Sequence, residues 1–295
     1  MREQHVEAPQ GIEQYASRCN QENVTGVIME GLPTGGSALG RAFSIQRRVV
    51  YALFLRELKT RFGKQRLGYL WAFLEPVVHM LVLFAILGLI AKHAMPVISF
   101  PVFLICGLVP YFMFLNITLR SLNALEANLG LLSYRPVHPI DTVIARAVLE
   151  LVISIIVFVV LLVILALAGQ SVELSNIPEL AAIWILLTIL GLGVGIIFMV
   201  VGHEFAVSEK IIPLLMRPLY FVSSVMYPLT SIPVQYRGLL LWNPLVHAFE
   251  LMRHGVVSEY NIERVSLTYL TFSTFLIFFF GLALYKAREP SLLRS

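Results

Sequence analysis

Arg56, Lys59, Arg61, Lys64 and Arg66 crowd one short stretch of the chain and run straight into Tyr69, Trp71 and Phe73, where a long apolar segment begins. Guanidinium and ammonium groups hold phosphate and carboxylate by charge-assisted hydrogen bonds. Set beside an apolar segment edged with Tyr and Trp, such cations meet the headgroups of a bilayer leaflet. The chemistry open to this stretch is recognition of an anion at a membrane surface.

Other chemistry is missing. Gly35 and Gly40 have the spacing of a phosphate-binding loop, but Arg41 and Ala42 stand where Lys and Ser or Thr are needed. No ATP site is expected in this chain. His203-Glu204 begins like a zinc-protease helix, yet no second His follows at the required spacing. Asp141 is the sole aspartate, so no Asp-x-Asp pair can hold a metal-bound sugar nucleotide. Cys19 lies in a polar region and Cys106 in an apolar one, which gives neither a disulfide framework nor a metal site. Neither a cofactor nor a metal is expected here.

The elements that must position the cations are membrane helices. The composition is 58% hydrophobic and 14% charged, with a mean hydropathy of +0.80; soluble domains carry about 25% charged residues. Apolar runs of about 20 residues, the length that crosses the hydrocarbon core, fall near Trp71 to Ala91, Phe100 to Leu119, Thr142 to Ala168, Pro178 to Gly202, Ile211 to Pro228 and Leu267 to Ala287. The sequence thus predicts an all-α integral membrane protein with six spans. Pro213, Arg217 and Pro218 predict a kinked or interrupted fifth span. Gly191, Gly193 and Gly195 in the fourth favour close helix packing.

Lys and Arg cluster in residues 1–70, at Arg120, Arg135 and Arg146, at Lys210 and at Lys286, Arg288 and Arg294. The positive-inside rule puts these flanks, and both termini, in the cytoplasm. The net charge of +4 is then an orientation signal rather than a nucleic-acid footprint.

Residues 1–44 read as a flexible cytoplasmic extension, and 45–70 as an amphipathic interface helix with Ile45, Val49, Leu53 and Leu58 on one face. Residues 71–287 form the transmembrane domain, and 288–295 a cytoplasmic tail. Between the second and third spans, Leu122, Leu125, Leu129 and Leu132 repeat at helical spacing, predicting a short cytoplasmic helix within about 120–136. Such a helix docks into a soluble partner or packs against the bundle ends. In the external loop, about 229–266, two pieces are too short to cross: Tyr236 to Trp242 and Leu245 to Val257. Asn243-Pro244 predicts an N-cap followed by Pro at the first helical position of the second piece. Both read as re-entrant helices or as interfacial ones.

Charges inside the spans are few. Glu75 and His79 open the first, Arg146 and Glu150 open the third at the spacing of an i, i+4 pair, and Arg217 lies in the fifth. No chain of mid-membrane carboxylates exists to couple transport to protons, which argues for energy supplied from elsewhere. Phe73, Tyr111, Phe112, Phe114, Tyr220 and Phe221 could line a canal in which sugar C–H faces slide over aromatic rings. An interfacial aromatic belt is the alternative for the residues at the span ends.

The run Glu57-Leu-Lys-Thr-Arg-Phe-Gly-Lys-Gln-Arg-Leu-Gly-Tyr-Leu-Trp-Ala-Phe-Leu-Glu-Pro76 resembles the signature of bacterial polysaccharide-export permeases. Glu126-Ala-Asn-Leu-Gly-Leu-Leu, with Arg135-Pro-Val-His-Pro-Ile-Asp-Thr-Val-Ile-Ala-Arg146, resembles the group-2 capsular branch of these type-2 ABC exporters. The resemblance covers about residues 45–290. It implies an inner-membrane homodimer, paired with two copies of a separate ATPase that binds ATP and Mg. The substrate it implies is a lipid-linked capsular polysaccharide, passed to periplasmic and outer-membrane export proteins. Under it, Arg56, Lys59, Arg61, Lys64, Arg66, Tyr69 and Trp71 take up substrate. Leu122, Leu125, Glu126, Leu129 and Leu132 couple to the ATPase, with Glu209 in a second contact. Asn243, Glu250, Arg253 and His254 form an external gate. The rival readings are a type-2 exporter of O-antigen, teichoic acid, a drug or another lipid, and a membrane-embedded polysaccharide polymerase.

Overall fold

The computed structural model describes residues 38–62, 68–94, 97–128 and 137–292. All its regular elements there are helical: α1 (Ala38–Phe62), α2 (Gly68–Ala94), α3 (Phe100–Leu122), α4 (Pro139–Leu167), α5 (Ile177–Glu204), α6 (Ser208–Val222), α7 (Val234–Leu240), α8 (Pro244–Val256) and α9 (Leu267–Leu292). The chain divides into Met1–Arg48 and Val49–Ser295. Of the first unit, the described residues are the opening turns of α1; everything below concerns the second.

Four of these helices, α3, α4, α5 and α9, are long and apolar enough to cross a membrane. In α2, Leu74–Ile86 is a shorter apolar stretch. α6 is a 15-residue helix with Pro213 and Pro218 inside it, and it gives way to a turn in which Ser224 adopts a positive φ of 58°. The interruption expected of the fifth apolar run is therefore a real break. α1 begins at Ala38, before the apolar periodicity that sets in at Ile45.

α3 is the central helix, buried along most of its length from Phe100 to Leu122 against α4 on one side and α5 on the other. α5 in turn packs along α9, and glycine makes that approach possible. A Cβ on Gly193 would sit 2.8 Å from the Phe278 Cα, and one on Gly281 would sit 2.7 Å from the Gly193 carbonyl oxygen. Gly191 and Gly195 likewise face Ile117 and Ser121 of α3 closely. The packing role read from these glycines is borne out. The outer faces of α4 and α9 keep Val152, Ile156, Val163, Phe272, Leu276 and Phe279 exposed, as a lipid-facing surface requires.

One end of the bundle gathers the C-termini of α3, α5 and α9 with the N-terminus of α4. Arg288 pairs with Glu204 at 3.6 Å, and His138 approaches Glu289 at 3.8 Å. At α4's start, Asp141 accepts from the His138 backbone N–H at 2.9 Å, closing a capping box. At the opposite end, Glu173 accepts from the backbone N–H and the hydroxyl of Ser258, which tie the α4–α5 loop to the segment after α8. Those two bonds hold the Glu173 carboxyl below its ordinary pKa.

Candidate functional site: an aromatic wall, a buried clamp and a polar junction

Three neighbouring arrangements carry the polar chemistry. The first lies where α2, α3 and α6 meet. His79 of α2 and the Tyr220 hydroxyl of α6 are 3.0 Å apart and hydrogen-bonded. The imidazole meets the rings of Tyr220 and Phe112 edge-on. Tyr111 packs on Tyr220 and Phe249, and its hydroxyl donates to the Met216 carbonyl at 3.1 Å. A cleft of about 350 Å³ opens beside this cluster, lined by Leu74, Glu75, Val78, His79 and Val82.

The aromatics expected to line a canal divide here by exposure. Phe221 is exposed, Phe112 and Tyr220 are half-buried, and Tyr111 and Phe114 are buried in the core. Phe221, Phe112 and Tyr220 keep ring surface that a passing molecule could touch. Tyr111 instead holds α6 against α3 from behind. His79 was visible as a polar residue in an apolar run, but its tie to Tyr220, 141 positions along the chain, had no local signal.

The second arrangement is a buried clamp at the end of the bundle that holds the α4–α5 loop and α8. Arg253 of α8 is 0% exposed and Glu250 1%. Their side chains pair at 2.7 Å, and the guanidinium also donates to the carbonyls of Ser224 (2.7 Å) and Val225 (3.0 Å). Its central carbon lies over the Phe103 ring, 3.6 Å from the centroid. Glu250 also accepts from the Ser224 hydroxyl (3.0 Å), the Leu229 N–H (3.2 Å) and the Tyr260 hydroxyl (2.9 Å). Burial pushes the Tyr260 phenol up, so it stays a donor. A Cβ on Gly107 would fall 2.8 Å from the Val225 carbonyl and 3.0 Å from the guanidinium, so α3 leaves room for the clamp by having glycine there.

Around it, the Asn243 side chain accepts from the Leu245 N–H at 3.0 Å, with Pro244 opening α8, as the sequence predicts. Asn243 also donates to the Ser223 hydroxyl at 2.9 Å. His254 comes within 4.0 Å of Glu179. His247 accepts from the Ser266 N–H at Nδ1 and so donates from Nε2 to the Leu241 carbonyl. Burial lowers its pKa, which keeps that neutral form. Glu250 and Arg253 are thus spent on holding the turn after α6 to α3 and α8. Ser224, Tyr260 and Phe103, which complete the clamp, carry no sequence signal beyond their types.

The third arrangement is at the other end. Arg146 of α4 pairs with Glu57 of α1 at 2.9 Å and donates to the Arg120 carbonyl at 2.6 Å. Arg120 approaches Glu150 at 3.4 Å. Spacing along α4 offered Arg146 and Glu150 to each other, but Arg146 reaches across to α1 instead, and Glu150 is approached from α3.

Beyond Arg120, α3 ends at Leu122 and the chain turns through a 3-10 segment, Glu126–Asn128. Leu122 and Leu125 are buried and Glu126 is exposed. Leu125 packs into a small core with Ala124, Val143, Ile196, Met199, Val200, Tyr285 and Leu292. In the first turn of α6, Glu209 is exposed, with Phe205 (65%) and Val207 (64%) exposed in the α5–α6 turn just before it. Of the cations, Arg56 and Lys59 are exposed on α1. The side chains of Arg61, Tyr69, Trp71 and Phe73, and all of Lys64, Arg66, Leu129 and Leu132, lie outside the described residues.

Known proteins match most of the chain. The polysialic acid transport protein KpsM of Escherichia coli is 54% identical over 86% of this chain and 98% of its own length. The capsule polysaccharide export inner-membrane protein BexB of Haemophilus influenzae is 27% identical, over 83% of this chain and 93% of its own. CtrC of Neisseria meningitidis serogroup A, also a capsule polysaccharide export inner-membrane protein, is 28% identical over 81% and 90%. The profile of the family described as ABC-2 type transporter matches residues 48–257, which take in the α1–α4 junction, the aromatic wall and the Glu250–Arg253 pair. The chain belongs to the ABC-2 type transporter family.

Proposed function

We propose that this chain is the transmembrane subunit of an ATP-driven exporter that moves lipid-linked capsular polysaccharide across the bacterial inner membrane. The observation that carries the reading is the 54% identity to KpsM across nearly all of that protein. The chain works as a homodimer with two copies of a separate ATPase subunit, which binds ATP and Mg. It takes no cofactor or metal of its own and no nucleic acid. Both termini are cytoplasmic, so the end that holds Arg120, Arg146, Glu204 and Arg288 faces the ATPase. The six-span layout counts α2 as the first span and α6, continued by the Ser223–Leu229 turn, as the fifth.

The roles assigned on this reading are as follows. Arg56, Lys59, Arg61, Lys64 and Arg66, with Tyr69 and Trp71, draw the anionic lipid-linked end from the inner leaflet. Phe112, Tyr220 and Phe221 give sugar rings apolar faces to slide on, with Tyr111 and Phe114 backing the wall, and Phe73 is a further lining residue on this reading. The 3-10 turn after α3, the following segment with Leu129 and Leu132, and the α5–α6 turn with Glu209 meet the ATPase. α7 and α8 dip into the outer leaflet as re-entrant helices and shape the exit, where Asn243 and His254 steady the ends of α8 and the Glu250–Arg253 clamp fixes its depth. Periplasmic and outer-membrane export proteins receive the polymer.

The test is deletion in the encapsulated host. Loss of surface capsule with polymer accumulating inside the cell, reversed by the gene in trans, supports export. Loss of polymer both inside and outside would instead point to synthesis, and an unchanged capsule would end the reading.

A further inference from the structure

We propose that Glu57, Arg146, Arg120 and Glu150 form a transmission strut. It carries movement of the ATPase-facing end of α3 to the interface helix α1, which makes the four side chains positioning residues for export. The inference rests on the exporter reading, because it needs a motor at that end of α3.

The geometry is specific. Arg146 bridges two elements at once: its Nε binds Glu57 of α1 at 2.9 Å, and a terminal nitrogen binds the Arg120 carbonyl at 2.6 Å. That carbonyl belongs to the last turn of α3, where main-chain acceptors lack partners within the helix. A guanidinium there satisfies such an acceptor and complements the negative end of the helix dipole. The planar fork of Arg serves both partners at fixed angles, which a Lys ammonium does not. Arg120 comes back to Glu150, one turn beyond Arg146 on α4. The four side chains therefore lace α1, α3 and α4 together.

Placement gives the lacing its meaning. On one side, Glu57 sits between Arg56 and Lys59, the described cations of the substrate-uptake stretch. On the other, Arg120 immediately precedes Ser121–Asn128, where the chain leaves α3 for the segment assigned to the ATPase. α3 is also fixed to α5 there, since Gly202 lets the Leu122 carbonyl approach to where a Cβ would be 2.6 Å away. A push on the α5–α6 turn or on the turn after α3 thus reaches Arg120 through packed backbone, and reaches Glu57 through a single guanidinium. A solvent-exposed ion pair contributes little and could be lost with little effect. Arg146 and Glu57 are only 12% and 17% exposed, and they join separate helices.

The experiment uses the full chain with its ATPase subunit, in the native host and in nanodiscs. Glu57→Gln keeps the size of the side chain and removes its charge. It should leave membrane insertion, ATPase co-purification and basal ATP hydrolysis as in the wild type, and lower capsule export about five-fold or more, the low end of a coupling effect. Arg146→Glu alone should also fail, and Glu57→Arg with Arg146→Glu should export better than either single reversal. Motion is read by spin labels at Tyr51→Cys and Asn123→Cys in a Cys19→Ser background, since Cys106 is buried. Vanadate trapping should shift the label separation in the wild type, and Glu57→Gln should alter that shift. A purely structural pair would change thermal stability without changing it. Wild-type export and an unaltered shift in Glu57→Gln overturn the strut. An unchanged capsule after deletion of the whole gene, by contrast, overturns the exporter reading itself.

Discussion

A full charge at the middle of a bilayer costs roughly 2.5–3.5 kcal/mol on the insertion scale, so a buried guanidinium and carboxylate survive only where each has close partners of opposite polarity. Glu250 and Arg253 meet that condition: the carboxylate has four donors and the guanidinium has a carboxylate, two carbonyls and an aromatic face. Removing one partner from such a pair typically costs about 3–5 kcal/mol, while replacing both by apolar groups of similar volume is often neutral. Glu250→Gln should therefore lower the thermal midpoint of the detergent-solubilised protein far more than Glu250→Met with Arg253→Met. Equal midpoints for the wild type and Glu250→Gln would show that the clamp bears no strain. The Arg253 Nε has no hydrogen-bond partner, so the Phe103 ring matters to its solvation, and Phe103→Leu should move the midpoint in the same direction as Glu250→Gln.

At the scale of elements, the α5–α9 contact is a close approach of backbone on backbone. Gly193→Val would drive new atoms into the Phe278 backbone, which cannot rotate away as a side chain can. Over-packing of this kind costs about 1–3 kcal/mol, so folded yield after membrane extraction should drop. Gly238→Ala, on the short α7 with nothing within 4 Å of its Cβ position, is the matched control and should be neutral. Much of this level was legible in the sequence. The run-length rule found α3, α4, α5 and α9, Asn243-Pro244 announced α8, and the glycine series announced close packing, because each signal is local. What stayed hidden depends on contacts distant in sequence. Arg146 had a partner at the right spacing on its own helix and pairs with one 89 positions away instead. The leucine repeat after Arg120 has the period of a docking helix, yet its described part turns Leu122 and Leu125 inward and leaves a 3-10 turn behind. Periodicity reports a helix-like face and not the surface that face will meet.

For the molecule as a whole, the question becomes where a motor on another chain can push. Leu122 and Leu125 belong to the chain's own core, so charging them would unfold that end before it said anything about docking. The α5–α6 turn is different: Phe205 and Val207 are exposed, Glu209 stands beside them, and the turn follows directly on Gly202, where α5 abuts the end of α3. Exposed apolar side chains at the end of a span, beyond its most apolar stretch, are suited to anchor a soluble partner. Surface substitutions of this kind change stability by about 0.5 kcal/mol or less, whereas an anchor in a protein interface is worth about 2 kcal/mol or more. Phe205→Asp with Val207→Asp should therefore insert and extract like the wild type while binding the ATPase about 30-fold more weakly, read as lost co-purification and lost capsule. Because the strut begins one helix away, this variant should also abolish the vanadate-induced shift between labels at positions 51 and 123. Undiminished ATPase binding by the double variant would move the motor's contact to the segment after Asn128, with α3 then receiving the push from its own C-terminus.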